Sequence, residues 1–254
     1  MSVQTSVEAN VLVVTIDRPE ARNAIDGSVA AGIEEAIDRL EGSDELRAAV
    51  LTGAPPVFSA GADLKVVEQG RGSELSTPRG GFAGLTRRNR SKPVLAAVDG
   101  PALAGGAEVV LACDMVVAST AARFGLPEVK RCLVAAGGGL YNLPRRLPLN
   151  VAMEIALTGD PISAERAERL GLVNRLVEPG RALAEAVDLA GRIAINAPAA
   201  VRETRRVLLE SLLVEEGAGQ ELADEALKTM FATDDFTEGV RAFIEKREPV
   251  WTGR

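Results

Sequence analysis

The sequence predicts an α/β fold in which short buried strands alternate with helices. Three observations support this prediction: apolar, β-branched runs end at turn residues, apolar residues recur at helical spacing between these runs, and strand patterns stop near residue 182, where helical ones take over. The chain has 254 residues, of which 46% are hydrophobic and 26% charged. This size and composition fit one large domain with a smaller appendage.

The strands are predicted from apolar runs that are bounded by turn residues. The first run, 11–16, is β-branched and stops at Asp17 and Pro19. Four more runs of the same kind predict strands at 48–52, 94–98, 115–118 and 172–177. Because helical patterns separate these runs, we expect strand, helix, strand to be the repeating local order.

Helices are predicted where apolar residues recur every three or four positions. Ile33, Ile37 and Leu40 predict a helix between the first two strands. An apolar segment that begins at glycines and runs to Leu111 predicts another, and 164–170, closed by Gly171, a third. After these, the pattern predicts only helices.

The C-terminal part contains an apolar stripe that has to be buried. Pro198 suits the first turn of a helix, and 201–213 has a helical pattern. Phe236, Val240, Phe243 and Ile244 then fall on one helix face. Two interpretations stay open for this stripe: packing on its own domain, or an interface between subunits.

Segment 68–91 is rich in glycine, serine and charge, which predicts a long flexible loop. A loop of this length inside a compact domain is often a lid or the wall of a binding site.

Composition excludes several classes of function. The chain has no histidine, which excludes mechanisms that need imidazole as a base or as a metal ligand, so acid–base chemistry falls mainly to carboxylates. A net charge of −7 argues against nucleic acid as a partner. There is no basic leader followed by an apolar stretch and no apolar run of about 18 residues, so we expect a cytoplasmic protein with no membrane partner. Cys113 and Cys132 are the only cysteines and are expected to be reduced thiols in the core or a loop.

Two stretches of small residues could bring backbone N–H groups close to a ligand. Residues 58–64 follow a Pro-Pro turn, and residues 100–108 join a strand to an apolar segment that could begin a helix at its glycines. Free N–H groups at a helix start carry the positive dipole that an oxyanion needs. Taken alone, either stretch is as well explained by the steric needs of a turn.

Several motifs, in order and at matching separations, resemble the crotonase (enoyl-CoA hydratase/isomerase) superfamily along essentially the whole chain. They are residues 18–24 (RPEARNA), 58–64 (FSAGADL), 104–108 (AGGAE), 124–128 (FGLPE), 157–160 (LTGD), 171–174 (GLVN) and 242–247 (AFIEKR). The resemblance implies a spiral of β-β-α turns over 1–194 and a C-terminal helical oligomerisation region over 195–254. It also implies a homotrimer or a dimer of trimers.

The resemblance further implies a site that acts on an acyl-CoA thioester. The N–H groups of Ala62 and Gly105 would form the oxyanion hole, while Glu128 would exchange a proton with C2 and Glu108 would hold and deprotonate the water that attacks C3. Two such carboxylates are expected to titrate as a coupled pair. The implied substrate-binding residues are Ala21, Arg22, Ala60, Gly61, Asp63, Leu64, Lys65, Ala136, Phe243 and Lys246, of which Lys246 would reach the ligand of a neighbouring subunit. No cofactor is implied beyond the coenzyme A of the substrate.

One departure from the family pattern bears on the substrate. Ala136 adds a methyl group where the hydratases usually have glycine. In addition, residues 80–86 and 247–254 resemble the branch that contains carnitinyl-CoA dehydratase, so a polar acyl chain is an alternative to a fatty one. The leading hypothesis is an enoyl-CoA hydratase of fatty acid metabolism, followed by a carnitinyl-CoA or other 3-hydroxyacyl-CoA dehydratase, a double-bond isomerase, and a non-catalytic acyl-CoA-binding protein.

Overall fold

The computed structural model describes residues 2–253, and Met1 and Arg254, the last residue of the C-terminal motif, lie outside the described residues. Its strands are β1 (Val3–Glu8), β2 (Val11–Ile16), β3 (Ala48–Gly53), β4 (Ser76–Thr77), β5 (Gly81–Phe82), β6 (Val94–Val98), β7 (Ala102–Leu103), β8 (Met115–Ser119), β9 (Arg123–Gly125), β10 (Ile162–Ser163) and β11 (Arg175–Val177). Its α-helices are α1 (Gly27–Gly42), α2 (Leu64–Glu68), α3 (Gly105–Ala112), α4 (Gly139–Arg146), α5 (Leu149–Thr158), α6 (Ala164–Arg169), α7 (Ala182–Ala194), α8 (Pro198–Glu210), α9 (Glu216–Phe231) and α10 (Asp234–Glu245). Short 3₁₀ turns occupy Pro19–Ala21, Gly72–Leu75, Pro127–Arg131 and Ser211–Leu213.

The main sheet has six strands in the order β1-β2-β3-β6-β8-β11. β1 is antiparallel to β2, and the remaining neighbours are parallel. Both faces of the parallel strands are covered, which explains why their sequences are continuous apolar runs and not alternating ones. One face packs against α1 and α3 in the larger core, and the other packs against Ala186 and Ala190 of α7.

A smaller sheet, β10-β9-β7, continues beyond the main one. β7 is parallel to β9, and an isolated bridge joins Ser59 to Ala102 of β7. The segments that follow β3, β6 and β8 are therefore hydrogen-bonded side by side. This lateral pairing fixes the loops that carry the candidate site.

The α/β class and most of the predicted elements are confirmed. The strand predicted at 172–177 was wrong in its first half: it begins at Arg175, because Leu172 and Val173 are buried in the turn that follows α6. β1 was not predicted, since only one of its six residues is even partly buried and its sequence has no apolar alternation.

Segment 68–91 has little regular structure, as predicted, but it is packed onto the core. It contains the short antiparallel pair β4–β5, and Leu75 and Leu85 are buried. The Glu34 carboxylate on α1 accepts hydrogen bonds from the Thr77 hydroxyl at 2.7 Å and from the Gly80 N–H at 2.9 Å. The segment is therefore a fixed wall and not a free lid.

The C-terminal part is helical, and its last residues are tied back to α10. The buried carboxylate of Asp235 accepts hydrogen bonds from the backbone N–H groups of Thr252 and Gly253 at 2.7 and 2.9 Å. The domain boundary at residue 194 stays a prediction. None of the helices within residues 2–253 combines the length and the apolar character needed to cross a bilayer.

Candidate active site

Two backbone segments converge because β3 and β6 are parallel neighbours in the sheet. Parallel strands end at the same edge, so the chain that follows each strand arrives at the same place. Gly61 comes after β3 and Gly105 after β6. A Cβ atom placed on Gly61 would lie 2.7 Å from the Gly105 nitrogen, so only glycine permits this approach.

The N–H of Ala62 points away from the sheet pairing around it. Ala62 forms a parallel bridge with Ile25, in which the Ile25 N–H donates to the Gly61 carbonyl at 2.8 Å and the Asp63 N–H donates to the Ile25 carbonyl at 2.9 Å. Because the neighbouring peptide groups make both bonds, the Ala62 N–H has no protein acceptor within residues 2–253.

The N–H of Gly105 is exposed to the same space by a strained residue before it. Ala104 has φ 51° and ψ −127°, a conformation that costs free energy for a residue with a Cβ. It is held there because its N–H donates to Gly125 at 2.9 Å and its carbonyl accepts from the Glu108 N–H at 3.1 Å. Gly105 is the first residue of α3, so its N–H has no partner within the helix and carries the positive end of the helix dipole.

Glu108 lies on α3 one turn after Gly105 and is 4% exposed. Its Oε1 accepts a hydrogen bond from the Gly139 N–H at 2.9 Å. Burial raises the pKa of Glu108, while the N–H groups of Gly139, Gly137 and Gly138 oppose this shift by stabilising the carboxylate. Glu108 is therefore a buried carboxylate and not a solvent-exposed residue of the helix.

Glu128 follows β9 in the 3₁₀ turn that starts at Pro127. Its Oε2 is buried and has no hydrogen-bond partner in the described part of the chain. Burial raises the pKa of Glu128 to about 7; its own N–H opposes the shift, and the neighbouring Glu108 charge adds to it. The structure therefore brings together the two carboxylates that the sequence placed 20 residues apart.

Gly137, Gly138 and Gly139 contribute to the site, but of this loop only Ala136 was among the predicted site residues. In the structure a Cβ on Gly137 would lie 2.7 Å from Glu108 Oε2, so the loop closes directly over this carboxylate. The available signal was a glycine run that follows the second glutamate by nine residues.

The residues expected to bind coenzyme A lie around one tight turn. Buried Asn23 donates from its side-chain amide to the Ala54 and Val57 carbonyls at 2.7 Å each, and the Ala60 N–H donates to the Arg22 carbonyl at 3.0 Å. These bonds hold the turn at 18–24 against segment 57–63. Half-buried Ala21 and Ala60 lie at this junction, and buried Gly61 follows them.

The charged residues of this region divide into two kinds. The Asp63 carboxylate pairs with Arg18 at 3.1 Å and caps α2 through the Lys65 N–H, so it fixes the loop. The guanidinium of Arg22 and the ammonium of Lys65 are exposed, and no ion pair occupies either of them within residues 2–253. Leu64 is 52% exposed beside them.

The remaining expected binding residues are more scattered. Ala136 is exposed in the loop before Gly137, and its N–H donates to the Val134 carbonyl at 2.8 Å. Phe243 is 87% exposed and lines an apolar groove of about 420 Å³ formed by the C-terminal helices and Trp251. Lys246 is exposed and ends α10 in a left-handed conformation. No hydrogen bond or ion pair of the described residues joins Phe243 or Lys246 to the two carboxylates.

The two cysteines have different environments. Cys113 is buried and Cys132 exposed, and both are free thiols. Cys132 closes the 3₁₀ turn after Glu128 with φ 56° and is exposed, so one of the two thiols lies in the core and the other in a loop.

Comparison with known proteins extends over the whole chain. A family model described as enoyl-CoA hydratase/isomerase matches residues 6–254. Mevalonyl-coenzyme A hydratase of Aspergillus fumigatus is 45% identical over 249 residues, which are 95% of this chain and 91% of that protein. Carnitinyl-CoA dehydratase of Salmonella heidelberg is 41% identical over 252 residues, 96% of this chain and 95% of that one. The crystal structure of an enoyl-CoA hydratase from Mycobacterium tuberculosis H37Rv superposes with a TM-score of 0.96 at 45% identity and covers 100% of this chain and 99% of its own, which confirms the expected fold.

Proposed function

The chain belongs to the enoyl-CoA hydratase/isomerase family, and from this we propose that it catalyses the reversible syn addition of water to a 2-enoyl-CoA thioester. The observation that carries this proposal is the pairing of buried Glu108 with Glu128, whose Oε2 is buried, beside two backbone N–H groups that have no acceptor among the described residues. A double-bond isomerase needs only one carboxylate, so the pair favours hydration. A non-catalytic binding protein has no use for Glu128 Oε2, which is buried without a hydrogen-bond partner in the part of the chain that the structure describes.

We assign the oxyanion hole to the N–H groups of Ala62 and Gly105. Neither has a protein acceptor within residues 2–253, and because Gly61 has no side chain, the backbone beside Ala62 comes close to the Gly105 nitrogen. When the thioester oxygen binds between them, negative charge moves onto it, which makes C3 electrophilic and C2 able to accept a proton. A donor of this kind is typically worth about 2.7 to 4 kcal/mol of the barrier.

The two glutamates divide the proton transfers between them. Glu128 has its pKa raised to about 7 and serves as the acid that protonates C2. Glu108, whose carboxylate is stabilised by the Gly139 N–H, accepts a proton from the water that attacks C3. In the dehydration direction the two roles reverse. This assignment needs one neutral and one ionised carboxyl near neutral pH, and their different hydrogen bonding supports that state.

Coenzyme A is proposed to bind along the turn at 18–24 and segment 60–65. Arg22 and Lys65 offer exposed cationic groups that no protein carboxylate neutralises within the described residues, and they suit the phosphates. The fixed backbone of Ala60 and Gly61 offers a surface for the adenine and pantetheine parts. Lys246 is proposed to reach the ligand of a neighbouring subunit.

A second candidate is a dehydratase of a polar or branched 3-hydroxyacyl-CoA. Two relatives that match nearly the full chain are named for mevalonyl-CoA and carnitinyl-CoA, and residues 80–86 and 247–254 resemble the latter branch. The chemistry at the two glutamates is the same in this case. Only the acyl end of the pocket differs, where Ala136 replaces the usual glycine.

We also propose that the chain forms a homotrimer or a dimer of trimers through its C-terminal helices. Phe243 and Ile244 are 87% and 73% exposed, which is unusual for apolar side chains on one helix face. A cytoplasmic location and a role in fatty acid metabolism belong to this proposal as well.

The experiment that tests the function is a hydration assay with enoyl-CoAs of graded length, including crotonobetainyl-CoA. The loss of the conjugated-thioester absorbance measures the reaction rate. We expect Glu128→Gln and Glu108→Gln each to lower turnover about 10²- to 10⁴-fold while acyl-CoA binding is retained. Glu178→Gln changes an exposed glutamate outside the site and is expected to leave turnover unchanged. Near wild-type turnover in both active-site variants would contradict the assignment.

A further inference from the structure

Phe82 lies between Gly105, which carries an oxyanion N–H, and Gly137 in the loop over Glu108. A Cβ atom placed on Gly105 would lie 2.4 Å from Phe82 Cζ, and one placed on Gly137 would lie 3.1 Å from Phe82 Cβ. The phenyl side chain therefore runs from the residue that carries an oxyanion N–H to the loop that closes over Glu108. An acyl group whose thioester oxygen binds at the Gly105 N–H and whose C2 and C3 lie near the carboxylates would extend along this side chain.

The backbone on both sides of Phe82 is fixed. The Thr86 N–H donates to the Phe82 carbonyl at 3.2 Å, and the Ala83 N–H donates to the Leu75 carbonyl at 2.9 Å. Gly84, at φ 67°, packs so closely on α1 that an added Cβ would lie 2.2 Å from the Ala30 carbonyl oxygen. The backbone that carries the ring is therefore held in place by the packed segment.

We propose that Phe82 is a specificity-determining residue that forms one wall of the acyl pocket and restricts the enzyme to compact acyl groups. This inference rests on the proposed function, since it assigns the wall to the same site. A conjugated enoyl thioester is planar at C1 to C3, and an aromatic wall beside these atoms fits the plane while it limits bulk at C3 and beyond.

The expected change in substrate preference follows from the way hydrophobic pockets discriminate between acyl chains of different length. One methylene too many in a filled hydrophobic pocket changes kcat/KM by about 10- to 200-fold. Truncation of Phe82 opens space beside the reacting carbons, so kcat/KM should rise for long or branched acyl chains relative to short ones. The oxyanion donors and the two glutamates lie on other elements, so the truncation removes none of them.

The test compares wild type, Phe82→Ala and Phe82→Leu on 2-enoyl-CoAs of four to twelve carbons. We expect the ratio of kcat/KM for the ten-carbon substrate to that for the four-carbon substrate to rise at least about 10-fold in Phe82→Ala and by less in Phe82→Leu. Leu75→Ala is the matched control, because Leu75 is buried in the same segment and is not among the atoms nearest to an added Cβ at Gly105 or Gly137. It should lower the melting temperature and leave the ratio unchanged.

Calorimetry with butyryl-CoA and decanoyl-CoA gives a second measurement that needs no turnover. If the wild-type protein hydrates no enoyl-CoA, the proposed function fails. The ratio of the affinities for these two saturated ligands still tests whether Phe82 limits the length of the bound acyl chain. An unchanged ratio in both Phe82 variants, in turnover and in binding, overturns the inference.

Discussion

The Glu108 carboxylate accepts a hydrogen bond from the N–H of Gly139 at 2.9 Å, and this bond connects helix α3 to the glycine run after the second glutamate. α3 also carries Gly105 at its first position. One helix thus sets both the oxyanion donor and one carboxylate, and the glycine run sets the direction in which that carboxylate points.

The first prediction concerns the close approach of this glycine run. Gly137→Ala places a methyl group 2.7 Å from Glu108 Oε2, a distance that real Cβ atoms do not show, so the carboxylate has to move. We expect kcat to fall about 10²-fold with little change in stability. Gly191→Ala, where an added Cβ meets nothing within 4 Å, is the matched control and should retain full activity. Wild-type kcat in Gly137→Ala would show that the carboxylate position is not critical.

The sequence predicted the parts of this molecule that depend on local pattern. The strands at 11–16 and 94–98 were predictable because both faces of a covered parallel strand are apolar. β1 was not, because it lies at the sheet edge with most of its residues exposed.

The site itself depends on contacts that no local pattern encodes. The proximity of Glu108 and Glu128 was available only from the family resemblance, since a helix and a distant turn meet there. The contact of Phe82 with Gly105 and Gly137 joins three segments that are separate in sequence, so the pattern of segment 68–91 suggested a flexible loop where the structure has a packed wall.

The second prediction concerns the pH dependence of Glu128. Burial raises its pKa to about 7, so in hydration, where it donates a proton, activity should fall as the pH rises through about 7. In dehydration the two roles reverse, but the pair still carries one proton in total, so kcat/KM should fall over the same range. Initial rates in both directions between pH 5 and 9 measure this. A hydration rate that does not fall as the pH rises through about 7 would argue against Glu128 as the proton donor.

The same shift has a consequence for stability, which forms the third prediction. The folded protein binds a proton at Glu128 more tightly than the unfolded chain, whose carboxyl has its ordinary pKa. This contribution is fully present below the unfolded pKa and is lost as the pH rises through about 7. Glu128→Gln has no charge to bury, so it should lose less stability than wild type between pH 5 and 8. Urea denaturation at both pH values, with Glu178→Gln as the control, tests this expectation.

The fourth prediction concerns the turn that is proposed to hold coenzyme A. Asn23→Ala removes the donor for two carbonyls and the acceptor of the Arg18 N–H; the Val57 carbonyl is left buried and the other two groups half-buried without these bonds. We expect the free energy of unfolding to drop by about 2 to 4 kcal/mol and the KM for acyl-CoA to rise. Asn196→Ala loses one exposed bond at 3.0 Å to the Arg192 carbonyl and should cost less than about 0.5 kcal/mol. Equal losses in both variants would contradict this account of the turn.

The fifth prediction concerns the apolar face of α10. Phe243 is 87% exposed in the single chain, so Phe243→Ser removes little packing there and should leave the helical circular dichroism of the protein unchanged. If this face is a subunit interface, the same change exposes a polar group in an apolar contact and should shift the mass by light scattering from trimer or hexamer toward monomer at micromolar concentration. Arg241→Ser lies on the opposite side of α10, where residue 241 is 160° around the helix from residue 243 in an α-helix of about 100° per residue, and should keep the wild-type mass. A wild-type protein that is itself monomeric would refute the interface and, with it, the proposed reach of Lys246 into a neighbouring site.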